Sequence, residues 1–283
     1  MPDALWSESV MLSEAGNPAT IAYREPQCMT LVDALPVWAA GLVLLVVLTL
    51  ASRIGILLRA RTGNTSNEDG GYILSAALGL LALLIGFTFS LALSRYEMRR
   101  DLVLKEANAI GTTYLRAQLA PEPFRSELRT LIRRYLDARL ALADAGEDAG
   151  AIARAEVQAD QLQQRLWDTT MAAIPHVDPP VAVPLLIATV NETIDLAASR
   201  KATLSARLPS SVVAALLVYA VISAGILGYV TQGNRRGTQI SAVLLFVLLT
   251  LAITLILDLD RPRTGSIVVS QAPLLDLKAS IKP

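Results

Sequence analysis

The sequence predicts an all-α membrane protein. Four transmembrane helices come in two pairs, and a helical aqueous domain is inserted between the pairs. Three observations predict it. Apolar residues make up 53% of the chain and charged residues only 18%, with a mean hydropathy of +0.47. Uncharged runs long enough for a hydrocarbon core of ~30 Å, which takes about 20 helical residues, occur in two closely spaced couples. The most informative of these, GGYILSAALGLLALLIGFTFSLALS from Gly70 to Ser94, runs straight into RYEMRRDLVLKEANAIG. An apolar span that passes into a dense charged helix is a membrane helix continuing into water.

The elements follow in order. Residues 1–33 are polar, with no charged start followed by an apolar stretch, so they are not expected to be a cleaved secretory signal. The first span is the uncharged run from Ala34 to Ser52, extended to Leu58, with Arg53 snorkelling or facing protein; Pro36 is acceptable in a first helical turn. The second is Gly70 to Ser94, and together they form a first pair over residues 34–94. The aqueous domain, 95–207, reads as helical. It continues the second span, breaks at Pro121-Glu122-Pro123, and restarts with Leu128, Ile132, Tyr135 and Leu142 on one face. Gly146 to Gly150 is a turn, AIARAEVQADQLQQRLWDTTMAAI an amphipathic helix, and IPHVDPPVAVP too proline-rich to be helical before its end. No strand-type alternation appears. Leu208 to Asn234 and Gly237 to Leu257 give the second pair, 208–257, and a C-terminal tail occupies 258–283.

The second span carries a stripe of small residues, Ser75, Gly79, Ala82, Gly86 and Ser90, on one side of a helix at about 100° per residue. In lipid such a face serves close helix contact or a pore. Ser90, at the end of the stripe, and Ser94 offer hydroxyls, and beyond them Arg95, Arg99 and Arg100 are candidates for a positive collar. Glu97 and Asp101 sit in the same turns and oppose that field. A second small ladder, Ala220, Ala224 and Gly228 in the third span, reads as packing only.

Little else carries chemistry. Net charge is zero, which leaves nothing global to attract nucleic acid. One cysteine, Cys28, and one histidine, His176, allow no disulfide within a chain and argue against a Cys/His zinc site. Asp258 and Asp260 end the fourth span, where acids are expected to be solvated. As a calcium site they lack an oxygen-rich loop. There is no nucleotide-binding glycine loop and no nucleophile–base pair, so neither a cofactor nor an enzymatic activity is expected. Four spans put both termini and the domain on one side. Charge counted over short loops puts that side outside the cell, and total juxtamembrane charge puts it in the cytoplasm.

The segments IGFTFSLALSRYEMRRDLVLKEANAIG and LDLDRPRTGSIVVSQAPL resemble the bacterial bestrophin-like membrane proteins, a likeness running from about Gly70 to the end. More distantly the chain is similar to the bestrophins, pentameric ion channels with four spans per subunit whose second span lines the pore. Their pattern of a phenylalanine followed by an arginine and paired aromatics falls on Phe87, Arg95 and Tyr96, with Glu97 in place of the second aromatic. Their constriction, a ladder at four-residue spacing, falls on Gly79, Leu83 and Phe87, where Gly79 is too small to gate. The acidic stretch and turn after their last span is loosely matched by Asp258, Asp260 and Pro262-Arg263-Thr264-Gly265. The resemblance implies termini and helical domain in the cytoplasm, a multi-pass subunit of the inner membrane, and a homo-oligomer, by analogy a pentamer, passing small inorganic ions through the bilayer. It leaves the sign of the ion open, because bestrophin relatives conduct anions or cations. Two other classes stand beside the channel. One is a non-conducting scaffold or assembly factor. The other is a stator-like energising subunit, which needs a titratable path in the bilayer; here Thr88, Thr250 and Thr254 are the polar hints besides serines.

Overall fold

A computed structural model of the chain describes residues 35–62, 68–231, 236–263 and 265–281. Among these residues it is all helical, without a strand. Residues 1–33, with Cys28 and Arg24, lie outside the described residues, as do Ala34, Gly233, Asn234, Arg235 and Thr264.

The helices are α1 (Val37–Thr62), α2 (Glu68–Arg116), α3 (Phe124–Asp144), α4 (Ala149–Ala173), α5 (Val183–Ser205), α6 (Ser210–Val230), α7 (Arg236–Asp260) and a short α8 (Ala272–Ser280). Four of them, α1, the first part of α2, α6 and α7, are long and apolar enough to cross a membrane. At 1.5 Å per residue the 49 residues of α2 extend about 74 Å, more than twice a bilayer core of ~30 Å. The charged half of α2 therefore stands in water as the spine of the aqueous domain. The proline-rich stretch forms two short 3-10 turns, Ile174–His176 and Pro180–Ala182, before α5 begins. At the α3–α4 turn, Gly146 takes φ +55°, a left-handed conformation that ends a helix without a Cβ penalty. Asp148 then caps α4 by accepting from the backbone N–H of Gly150 at 2.8 Å and of Ala151 at 3.0 Å.

There are two apolar cores. The aqueous core gathers Val103 and Ile110 of α2, Leu128, Ile132 and Tyr135 of α3, Leu166 of α4, Leu186 and Val190 of α5, and Leu274 of α8. Its Tyr135 hydroxyl accepts from Gln163 Nε2 at 3.0 Å, and burial pushes that phenol up to about 12. Three buried hydroxyls, of Thr113, Thr189 and Thr193, meet at 2.8 and 2.9 Å and tie α2 to α5. The lone histidine, His176, stacks on Phe124 with ring centroids 5.6 Å apart. The segment after α7 folds back onto this domain: Leu274 is fully buried, and Lys278 pairs with Asp137 at 2.7 Å.

The membrane core gathers Leu48, Leu81, Ala92, Leu216, Ala220, Phe246 and Ile253, and Tyr96 packs against both cores. Its closest crossing is α1 on α6. A Cβ built on Gly55 would lie 2.1 Å from Gly225 O, and one on Gly228 would lie 2.0 Å from Ser52 O. Helices without a solvent-driven hydrophobic force between them gain from such backbone proximity, which explains why Ala220, Ala224 and Gly228 are all buried. Arg59, in the last turn of α1, donates to the terminal carbonyls of α6, Tyr229 O at 3.2 Å and Val230 O at 2.6 Å, and so caps a helix end where cations are favoured. Arg53 points outward from the subunit.

Gly228→Leu should separate α1 from α6, because its Cβ meets backbone rather than a side chain that can swing away. Overpacking of this kind costs about 1–3 kcal/mol or more. The expected result is loss of a monodisperse peak in detergent size-exclusion chromatography, while Gly71→Ala, whose Cβ meets nothing within 4 Å, leaves the peak intact.

Candidate functional site

The site is built on the two opposite seams of α2. One seam is buried: Thr88, Ala92, Arg99, Val103, Glu106, Ile110 and Thr113, spaced three, four or, once, seven residues apart. The other is open. Ser75, Gly79, Ala82, Leu83, Gly86, Phe87, Ser90 and Ser94 are all exposed. Leu83 is 54% and Phe87 63% accessible, and a Cβ at Gly79 or Gly86 would meet nothing within 4 Å. The ladder of Gly79, Leu83 and Phe87 that the resemblance implies and the hydroxyls of Ser90 and Ser94 therefore share one outward face that no described part of the same subunit covers. Thr88, on the opposite seam, returns its hydroxyl to Leu84 O at 2.8 Å and Ile85 O at 3.0 Å.

The expected collar divides. Arg100 is exposed and Arg95 half-buried, whereas Arg99 is turned inward with 3% of its surface accessible. Its position on the buried seam, half a turn from the open one, is the reason. Arg99 Nη1 donates to Leu259 O at 3.1 Å, and Nη2 to Asp260 O at 3.1 Å and Ala206 O at 3.0 Å. It caps the end of α7 and grips the break between α5 and α6. The expectation that Arg99 joins a positive mouth is thus corrected: its charge is committed within the subunit. Among the exposed residues beyond Ser94, Glu97 and Arg100 carry opposite signs, and Asp101 pairs with Lys105 at 2.7 Å.

Asp258 and Asp260 also depart from expectation. Both are buried, not solvated, because their oxygens are taken by chain segments that fold over the end of α7. Asp260 Oδ1 accepts from the backbone N–H of Leu208 at 2.9 Å. Asp258 accepts from Ser266, through its N–H at 3.0 Å and through its hydroxyl. Gly265 takes φ +137°, and a Cβ there would fall 2.0 Å from Asp258 Oδ1, so only glycine fits that turn. Among the described residues no group of three or more His, Cys, Asp or Glu is placed to hold a metal ion. These two acids are structural acceptors here.

A buried ionic cluster was not anticipated from sequence. Glu106 is fully buried and receives Arg139 Nε and Arg200 Nη1, each at 2.5 Å, while Arg200 Nη2 donates to Gln271 Oε1 at 2.5 Å. A glutamate falling on the same seam as Val103 and Ile110 is the signal that could have revealed it. The cluster ties α2, α3, α5 and the segment after α7 together.

This architecture defines a multi-pass helical membrane protein whose second span continues as the spine of an aqueous domain. The model of the bestrophin-like domain matches residues 37–274, and the chain belongs to the bestrophin-like family. Solved structures of a bacterial bestrophin homolog from Klebsiella pneumoniae have the same fold. One superposes with a TM-score of 0.65 at 14% sequence identity, covering 85% of this chain and 96% of that one. A single-site variant of the homolog gives 0.64 at 14% identity, over 84% of this chain and 96% of the other. No curated protein sequence matches the chain.

Arg99→Met should remove the cap on α7 and leave Leu259, Asp260 and Ala206 carbonyls without a donor. Loss of charge-assisted bonds in a buried site amounts to about 2–5 kcal/mol. We expect a marked drop in the thermal unfolding midpoint of the detergent-solubilised protein, and only partial recovery in Arg99→Lys, because a single ammonium nitrogen cannot stand in the places of both Nη1 and Nη2.

Proposed function

We propose that the chain is the subunit of an oligomeric ion channel of bestrophin type, with the open seam of α2 lining the pore and Leu83 and Phe87 forming an apolar constriction. One observation carries the reading: a full-length seam of a membrane helix, rich in glycine and serine, is left uncovered by its own subunit. Lipid offers hydroxyls and bare backbone no partner, so such a face belongs against water or another protein. Family membership supports the same reading.

The physics of the constriction is dewetting. Leu83 and Phe87 are one helical turn apart and stack on one face, which gives two apolar layers about 6 Å apart in a ring of subunits. Ions do not shed hydration water cheaply in so narrow an apolar throat. Gly79 leaves the side toward the paired-span loop wide, and Ser90 and Ser94 line the exit toward the domain. Arg95 and Arg100 stand at that mouth beside Glu97 and Asp101, so its field is mixed in sign. A four-helix subunit cannot enclose an axis alone, and ring closure of one heterologous interface is the natural way to build one. In this reading the ring is a pentamer in the bacterial inner membrane, with both termini and the helical domain in the cytoplasm. A scaffold is the second reading, because the same small-residue face would serve pure helix packing. A stator-like role has less support: the hydroxyls of Thr88 and Thr254 return to carbonyls of their own helices.

Three outcomes are expected. Native mass spectrometry gives a pentamer; a monomer alone removes the basis for a pore. Reporter fusions at Gly233 and at the C-terminus report opposite sides, with the C-terminus cytoplasmic; a periplasmic C-terminus overturns the orientation. The double variant Leu83→Ala, Phe87→Ala assembles normally, since truncating exposed side chains shifts subunit stability by only about 0.5 kcal/mol, and raises ion flux into liposomes severalfold. Flux at the empty-liposome level in both wild type and variant favours the scaffold.

A further inference from the structure

A cavity of about 500 Å³ lies inside the aqueous domain, between α2, α3, α4, α5 and the segment after α7. Its size falls within the range of small-molecule sites. Leu102, Leu142, Ile194 and Val268 give it apolar wall. Five cationic side chains reach it, Arg99, Arg139, Arg200, Lys201 and Arg263, against the two carboxylates Glu156 and Asp160.

The charges do not cancel. Lys201 is matched by Glu156 at 3.0 Å. Arg139 and Arg200 share the single carboxylate of Glu106 behind the wall. The Asp260 carboxylate acts electrostatically on Arg99. Counting Glu106 and Asp260 with the wall carboxylates still leaves one positive charge over. Arg263 carries it most visibly. It is half-buried, and its hydrogen bond among the described residues is a long one, Nη1 to Leu142 O at 3.4 Å. Burial lowers its pKa; Glu156 pulls it back up, and Arg200 and Arg139 push it down again. Arg139, itself almost fully buried, uses only Nε on Glu106 among the described residues. A partly desolvated guanidinium with one carboxylate and two other guanidiniums near it is stabilised by a further anion, and guanidinium suits the flat, multidentate heads of phosphates and carboxylates.

We propose that this cavity binds a dissolved small organic anion, a phosphate or carboxylate head on a compact apolar body, with Arg263 as the principal contact for the head and Arg139 beside it. The apolar wall selects against bare inorganic anions, and the surplus positive charge selects against neutral molecules. Ser205, at the end of α5, and Pro262, just after α7, both border the cavity, so a ligand there touches the two segments that join the domain to the second span pair. An effect on conduction would rest on the channel reading; binding itself does not.

The test uses the full chain in phosphatidylcholine nanodiscs and isothermal titration calorimetry with phenyl phosphate as probe. Wild type should bind saturably with a dissociation constant in the millimolar range or below, with inorganic phosphate at least about tenfold weaker and phenol not bound. Arg263→Gln should weaken phenyl phosphate by about tenfold or more. Ala198→Trp, an exposed position on the cavity wall, should abolish binding by filling the space without changing charge, and serves if Arg263→Gln does not fold. Absence of saturable binding, equal binding of phenol, or unaltered affinity in either variant overturns the proposal. Nanodiscs containing phosphatidylglycerol should leave the affinity unchanged; loss of binding there would give the site to an anionic lipid headgroup and overturn the assignment to a dissolved anion.

Discussion

The structure depends on a single guanidinium at the membrane boundary. Arg99 leaves the spine helix α2 on its buried seam and donates to the last carbonyls of α7 and to Ala206 in the break before α6. Asp260 closes the same knot by accepting from Leu208, and Arg261 extends it to the start of α1 by donating to Leu35 O at 2.8 Å. The aqueous ends of all four spans are thus joined within a few residues. Helix ends leave carbonyls and N–H groups unsatisfied, and burying them at an interface without partners is expensive. Satisfying them with one another, through Arg99 and Asp260, fixes how the spans stand against the domain. On the far side Arg59 does the equivalent for α6.

The two seams of α2 follow from that arrangement. A 3.5-residue spacing keeps Ala92, Arg99, Val103, Glu106 and Ile110 on one side over many turns, first against lipid-embedded helices and then against a water-soluble core. The helix serves both environments because what it needs on that side is close packing in each. The opposite side is left free, and the proposed pore face is what remains once the buried seam has been used.

Much of this was legible in the sequence, and for physical reasons. Uncharged runs longer than a bilayer needs cannot be hidden, so the four spans were readable, as were the break at Pro121 to Pro123 and the buried face of Leu128, Ile132, Tyr135 and Leu142. The side of α2 bearing Ser75, Gly79, Ala82, Gly86 and Ser90 was readable as a face, since small residues at helical spacing mark one, whereas the ladder of Gly79, Leu83 and Phe87 came from the family resemblance. What was not legible is where long polar side chains turn. Arg99 sits between Arg95 and Arg100 in a run that looks like a solvated mouth, and only its register with Val103 and Glu106 separates it from them. Asp258 and Asp260 look like acids at a helix end in water until the chain around Leu208 and Ser266 is folded over them. The contacts of Arg99 and Asp260 are long-range, 161 positions for Arg99 with Asp260 and 52 for Asp260 with Leu208, and no local spacing encodes them; Asp258 and Ser266 are only eight apart, but the turn that joins them has no helical period.

The central claim is that the open face of α2 looks onto water inside an assembly rather than onto lipid or packed protein. Cysteine accessibility tests it most directly. In a background where Cys28 is replaced by serine, Ser90→Cys and Ser94→Cys are exposed to a charged, membrane-impermeant thiol reagent in proteoliposomes, with Val46→Cys on the outer surface of α1, 57% accessible in the single subunit, as the lipid-facing comparison. The account predicts rapid modification of the two α2 positions, with a change in ion flux as each reacts, and protection of position 46. Protection of Ser90→Cys and Ser94→Cys to the same degree as Val46→Cys would contradict it.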